Sequence, residues 1–308
     1  MVKVRTVLGD LAAGELGVTD SHDHLFFRSA LLPGQELDDA EAALQEAKDF
    51  VAAGGRTIVQ WTPYGLGRGA EWLPKIAAAA GVHVVAATGF HRAEHYPAEV
   101  LEATRPKLAE VFVRELTEGI GDTGVKAGMI KVAGGFHVLD QHARHTLSAA
   151  AEAHHATGAP IGIHHELGSG ADAVLALLVD ERGVPPTSVI LGHLNRFPDH
   201  ELHLELAARG AFLAFDGPSR GNNATDPHLF ECLAALVDGG YAGQLLLGGD
   251  TTTARARAAT GEGPGMPYLL TGLRPRLIRR FGQEVVDRLF VENPASAFAA
   301  PWGGTVRS

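Results

Sequence analysis

The chain has 308 residues, 45% of them hydrophobic, with a formal net charge of −10 and a pI near 5.9. That balance, with no lysine or arginine cluster of the kind that binds nucleic acid, argues against a nucleic-acid partner, because such binders carry a basic patch. Cys232 is the single cysteine, which excludes an internal disulfide and a thiolate zinc site. It falls in a helical stretch and reads as a small buried apolar residue. No apolar run reaches the ~18 residues of a membrane span, and Met1–Asp10 lacks the apolar core of a signal peptide. A soluble, cytoplasmic protein with no membrane partner is therefore expected. The 16 histidines are the unusual feature of the composition.

In chain order, Val4–Leu16 reads as a short strand, a turn at Gly9-Asp10 and a second strand. Gly17–Phe27 is the first core strand and carries Asp20-Ser-His-Asp-His24. Asp38 is read as the N-cap of the next helix, with Glu41 three residues on. Ala40, Ala43, Leu44, Ala47 and Val51 share a face of that helix at helical spacing, and Gly54-Gly55 ends it. Arg56–Thr62 is the second strand, Ala70–Ala80 a short helix, Val82–Phe90 the third strand and Pro97–Gly119 a long helix. Lys126–Ala133 is the fourth strand and Gln141–Thr157 its helix; Pro160–His165 is the fifth, followed by a helix over Ala171–Glu181. Ser188–His193 is the sixth strand, with a helix near Asp199–Arg209, and Ala211–Asp216 the seventh. Asp226-Pro227 then reads as an N-cap and first-turn proline, and Gly239 closes that helix. Gln244–Asp250 is the eighth strand, and Met266–Phe281 and Glu284–Phe290 are terminal helices whose Arg274, Arg276, Arg279 and Arg280 form a solvated face.

The strands are short apolar runs rather than alternating ones, as parallel strands covered on both faces require. Eight strand–helix units predict an α/β fold, a (β/α)8 TIM barrel with a short N-terminal β-hairpin and an extra C-terminal helix, in one domain over residues 1–308. A doubly wound open sheet is the alternative. It would place a phosphate-binding glycine loop after an early strand, and the sequence has none there.

Active sites of such barrels sit at the C-terminal ends of the strands. Those ends carry His22 and His24, Lys131, His164, His193 and Asp250. His22 and His24 are two apart on a strand and so share one face. Taken singly each signal is weak, since a loop histidine or a capping aspartate is commonplace; all of them at successive strand ends are hard to attribute to chance. Imidazole and carboxylate suit zinc first, and also manganese, cobalt, nickel or iron. Four histidines and an aspartate suffice for two divalent metal ions if one more anionic group bridges them. Lys131 stands in an apolar run, where burying a cation is costly. A protonated lysine has no lone pair and would repel two dications. Carboxylated by CO2, it changes from +1 to −1 and presents two oxygens. A buried ion-pair partner or a Schiff-base lysine is the competing reading.

Val4-Arg-Thr-Val-Leu-Gly9, Leu16-Gly-Val-Thr-Asp-Ser-His-Asp-His-Leu25, Gly128-Met-Ile-Lys-Val-Ala133, Pro160-Ile-Gly-Ile-His164, Leu191-Gly-His193 and Leu247-Gly-Gly-Asp250 together resemble the phosphotriesterase-like family of the amidohydrolase superfamily. The late Gly261-Glu-Gly-Pro-Gly265 and Asn293-Pro294 are similar to family positions as well, so the resemblance runs over nearly the whole chain. It implies that His22, His24 and Asp250 bind the more buried metal, that His164 and His193 bind the more exposed one, and that carboxylated Lys131 bridges both together with a hydroxide. It further implies a metal-dependent hydrolase, with Asp250 as proton shuttle and Lys131 as the second catalytic residue. Two departures stand out. Gly249 replaces a histidine that many relatives carry before the aspartate, and His165-Glu166 replaces small or hydroxyl residues after the fifth-strand histidine. His165 is not expected to be a ligand, because neighbouring strand residues face opposite ways.

Family members act on lactones, carboxylic esters, organophosphate triesters and some amides. Lactones or carboxylic esters are the expected small-molecule substrates here, including anionic or phosphorylated sugar lactones. An arginine fork would suit these. Arg196 and Arg220, with His91 and Tyr96, are the expected substrate contacts, and Trp61 is expected as pocket wall or core. A main activity on organophosphate triesters is the first alternative, and a non-catalytic small-molecule-binding barrel the second. Relatives are often homodimers, and the resemblance extends that expectation to this chain.

Overall fold

Eight parallel strands stand side by side in the order in which the chain makes them. The structure is a computed structural model that describes residues 2–217, 225–261 and 263–302. A hairpin comes first, β1 (Lys3–Thr6) and β2 (Gly9–Ala12). The eight-stranded sheet follows: β3 (Thr19–Asp23), β4 (Thr57–Gln60), β5 (His83–Gly89), β6 (Met129–Ala133), β7 (Ile161–His164), β8 (Val189–Gly192), β9 (Phe212–Asp216) and β10 (Leu245–Gly248). It is the nearly closed (β/α)8 barrel expected from the sequence. No backbone ladder joins β10 to β3. The seam is held instead by the Asp250 amide, which donates to the His22 carbonyl at 2.8 Å, and the Gly249 amide, which donates to Asp20 Oδ1 at 3.2 Å.

The alternation of side chains along the strands builds two cores. Ile58, Val84, Ile130, Ile163, Leu213 and Leu247 face outward and pack under the helices. Val59, Val85, Met129, Ile190, Ala214 and Leu246 face inward and fill the barrel with Trp61, while Val4, Leu16 and Phe298 join the same cluster. Gly162 leaves room for the Trp61 ring, since a Cβ there would lie 2.7 Å from its edge. The inward rows continue to the top of the barrel. Met129 leads by two residues to Lys131, and Phe212 and Ala214 lead to Asp216.

The outer helices are α1 (Ala40–Ala52), α2 (Leu73–Ala80), α3 (Ala98–Thr104), α4 (Leu108–Thr117), α5 (Gln141–Thr157), α6 (Ala171–Leu175), α7 (His200–Ala208) and α8 (Leu229–Asp238). Then come α9 (Arg274–Phe281), α10 (Gln283–Asp287) and α11 (Asn293–Ala297). Several differ from expectation. The cap of α1 is Asp39, not Asp38: its carboxylate accepts from the amides of Glu41 and Ala42 at 2.8 and 3.1 Å. The long helix over Pro97–Gly119 is two helices joined by a 3-10 turn at Arg105–Lys107, because Pro106 has no amide to donate and its ring crowds the preceding turn. Thr225, not Asp226, precedes the turn Asp226–His228 that leads into α8. A short strand, β11 (Ala299–Ala300), pairs antiparallel with β1 and makes the hairpin three-stranded. Cys232 is buried, and no helix among the described residues is long and apolar enough to cross a membrane.

Candidate metal centre

His22, His24, Lys131, His164, His193 and Asp250 all line one cavity of about 310 Å³ at the C-terminal end of the barrel. The register explains the meeting. Lys131 pairs beside Gly162, and His164 beside both Ala133 and Gly192, so neighbouring strands deliver their inward side chains at one level. His193 would face outward by simple alternation. Its left-handed backbone, φ 63°, interrupts that alternation, and Asp250 has the same conformation at φ 50°. Such backbone is costly for residues with a Cβ and is found where the surroundings enforce it.

Hydrogen bonds assign the imidazole tautomers. His22 Nδ1 donates to Asp216 Oδ2 at 3.0 Å, and His193 Nδ1 donates to Asp216 Oδ1 at 2.7 Å. His24 Nδ1 lies 2.7 Å from the Thr62 hydroxyl, whose proton goes to the Phe26 carbonyl, so the imidazole is the donor. His164 Nε2 donates to Glu166 Oε2 at 3.0 Å. Each ring is left with one lone pair, on Nε2 of His22, His24 and His193 and on Nδ1 of His164. These face one another or a carboxylate. His193 Nε2 and His164 Nδ1 are 2.8 Å apart, and His24 Nε2 and His22 Nε2 stand 3.5 and 3.7 Å from Asp250 Oδ1. Lone pairs gathered this closely repel unless a proton or a cation lies among them. Imidazole and carboxylate donors, each steered by an outer hydrogen bond, fit a divalent metal such as zinc. His22, His24 and Asp250 bring ligand atoms within 4.8 Å of one another. His22, His193 and Asp216 do so too, but there Asp216 is the acceptor of two N–H donors.

Burial sets the electrostatics. It pushes the Lys131 amine down to about 7, with the Asp250 carboxylate opposing, so the free amine is abundant near neutral pH. It holds His24 down at about 4 and His91 and His164 well below the ordinary imidazole range. Asp216 is fully buried, yet the two imidazoles beside it keep its carboxyl far below the usual range. Beneath the site, burial raises Asp20 well above the ordinary value and Asp23 to about 6, and the Asp23 carboxylate adds to the rise of Asp20. This pair explains Gly249, because a Cβ at that position would run into the Asp23 carboxylate.

Of the expected substrate contacts, Arg196 and His91 line the cavity. Arg196 Nη2 is already bound to Asp250 Oδ2 at 2.8 Å and approaches Asp216 Oδ1 at 3.4 Å. His91 Nδ1 accepts from the Arg92 amide at 2.8 Å, which puts the ring proton on Nε2. Tyr96 is not in the cavity wall: its hydroxyl donates to the Tyr64 carbonyl and accepts from the His91 amide, so it braces the loop that carries His91. Arg220 lies outside the described residues. Trp61 is fully buried core and stacks under His22, with ring centroids 3.8 Å apart and planes 17° apart. His165 is buried, with Nδ1 3.1 Å from the Ser169 carbonyl. Two residues went unnoticed in the sequence. Asp216 carried a signal, a carboxylate closing an apolar strand just as Lys131 interrupts one. Thr62 carried none.

The model of the Phosphotriesterase family matches residues 2–298. A phospho-furanose lactonase of Mycoplasmopsis synoviae is 30% identical, over 96% of this chain and 91% of its own length. An N-acetyltaurine hydrolase of Salmo salar is 27% identical, over 95% of this chain and 96% of its own. Among solved structures, a lactonase from Listeria monocytogenes superposes with a TM-score of 0.90 at 30% identity, covering 96% of this chain and 98% of that one.

Proposed function

The chain belongs to the phosphotriesterase family and is a hydrolase of that kind, and from this premise we propose that it uses two divalent metal ions to open lactones or carboxylic esters, anionic or phosphorylated sugar lactones among them. The observation that carries the reading is the set of facing lone pairs on His22, His24, His164, His193 and Asp250, next to a buried lysine whose amine burial brings down to about 7. His22, His24 and Asp250 would hold one ion, and His164 and His193 the other. The Lys131 amine, adding to CO2 and releasing a proton to solvent, would supply the further carboxylate that the two sets need. Bound there, zinc or a similar ion supplies Lewis acidity and a water far more acidic than in bulk.

The chain's own groups do the rest. Asp216 and Thr62 orient three of the imidazoles. The Arg196 guanidinium holds the Asp250 carboxylate in place from the cavity side. Asp250 accepts a proton from the attacking water and delivers it to the leaving oxygen as the acyl C–O bond breaks. In a lactone that oxygen stays tethered to the product. His91 Nε2–H, on the cavity wall, is a neutral donor for a substrate oxygen. The preference for lactones draws on the two lactonase relatives, and amides are the next class because of the N-acetyltaurine hydrolase.

The test is elemental analysis of protein purified without chelator, with a hydrolysis screen of lactones, aryl esters, N-acyl amides and a phosphotriester. Near two divalent metals per chain with lactone or ester cleavage foremost is the expected result. Dominant phosphotriester cleavage would replace the substrate class. No stoichiometric metal after reconstitution with bicarbonate would leave a binding barrel as the better reading.

A further inference from the structure

The four imidazoles are not held alike. The side chains of His22, His24 and His193 are 1, 4 and 4% exposed, and their Nδ1 donors meet Asp216 and Thr62, which are buried. The His164 side chain is 21% exposed, and its Nε2 has one acceptor, Glu166, itself 27% exposed. Glu166 comes from the loop immediately after β7. Leu167 turns that loop with φ 49°, and Ser169 secures it by donating its amide and hydroxyl to the Glu166 carbonyl at 3.1 and 2.8 Å. Arg92, on the loop after β5, pairs with the same Glu166 oxygen and reaches Glu94 at 2.7 Å.

We propose that Glu166 is a positioning residue that fixes which nitrogen of His164 offers its lone pair to the outer metal, and that Arg92 holds Glu166 to that task. The proposal rests on the metal-centre reading above. With Glu166 in place, the Nε2 proton is committed and Nδ1 faces His193 Nε2. Without it, the Nδ1–H tautomer of His164 can donate to His193 Nε2 and the ring can turn over, so the pair of facing lone pairs is no longer enforced. None of the other three imidazoles has this freedom, because their partners, Asp216 and Thr62, lie in the packed interior. The same arrangement spends the Arg92 charge on Glu166 and Glu94, so Arg92 works as a strut between two loops and not as an anion receptor.

The experiment titrates zinc into metal-free protein in bicarbonate, against a competing chelator, for wild type, E166A, E166Q and R92A. Wild type should take two equivalents. E166A should keep the first affinity and lose about 10- to 100-fold in the second, the usual effect of removing a carboxylate behind a metal-binding histidine. E166Q should recover most of the loss, since its amide oxygen still accepts the Nε2 proton; R92A should fall between. Nitrogen-15 shifts of His164 in the metal-free protein should show the Nε2–H form in wild type and a mixture in E166A. Two equivalents in wild type with an overlying E166A titration, or with E166Q no better than E166A, would overturn the proposal alone. Fewer than two equivalents in wild type would overturn the metal-centre reading and this proposal with it.

Discussion

The inner and outer halves of the site are built by different means. His22, His24 and Asp250 sit between strand ends whose backbone, carboxylates and packing all fix them. His22 alone has a stacked Trp61, a buried Asp216 acceptor and a carbonyl bonded to the Asp250 amide. His164 leans on a loop carboxylate and an arginine from another loop. The rigid half owes its geometry to the core, so it can change little without loss of fold. The loop-built half can be retuned by a few residues near the mouth, where substrates are told apart.

The largest effect that would test this contrast comes from Asp250→Asn. Asparagine tolerates the left-handed backbone there, so circular dichroism should be unchanged while kcat falls about 10²- to 10⁴-fold. Turnover surviving at more than a tenth of wild type would remove Asp250 as the proton carrier. Next in size, Asp216→Asn loosens one imidazole of each half. Chelator competition should show both metal affinities reduced, by roughly 10- to 100-fold, whereas a loss confined to one equivalent would mean that Asp216 serves only one ion.

Lys131 provides a pH test on the metal-free protein. Its folded pKa of about 7 lies below the ordinary 10.5, so between these values the unfolded chain binds more protons. Stability should therefore rise with pH across that window, with the burial penalty complete below it. The melting temperature measured from pH 7 to 9 should climb in wild type and stay flat in Lys131→Met. Smallest, Gly249→Ala should cost about 1–3 kcal/mol in denaturant titrations by crowding Asp23. A neutral result would show the inner half to be softer than its packing implies.

The eight strands were legible because buried parallel strands are written as short apolar runs, and their ends named the six candidate ligands. Helix interruptions were less so. Pro106 stood in plain view, yet Pro97–Gly119 was read as one long helix. The Asp38–Asp39 choice turned on one residue of phase, and only the geometry of the first turn decides it. Asp216 was overlooked because its role depends on β8 and β9 being neighbours, a contact between residues 23 apart in sequence. Arg196 lines the cavity as expected and Tyr96 does not, because sequence carries no record of what a side chain has already bonded to.

The seam between β3 and β10, held by the Asp250 and Gly249 amides, has a consequence for the order of synthesis. His22 and His24 leave the ribosome more than two hundred residues ahead of Asp250, their partner across that edge. A nascent chain stopped short of β10 already carries all four candidate imidazole ligands and lacks Asp250. On the proposed mechanism such a fragment would gather metal ions without turning substrate over. Completion of the barrel's eighth strand would thus be the step that brings the proton carrier to the site.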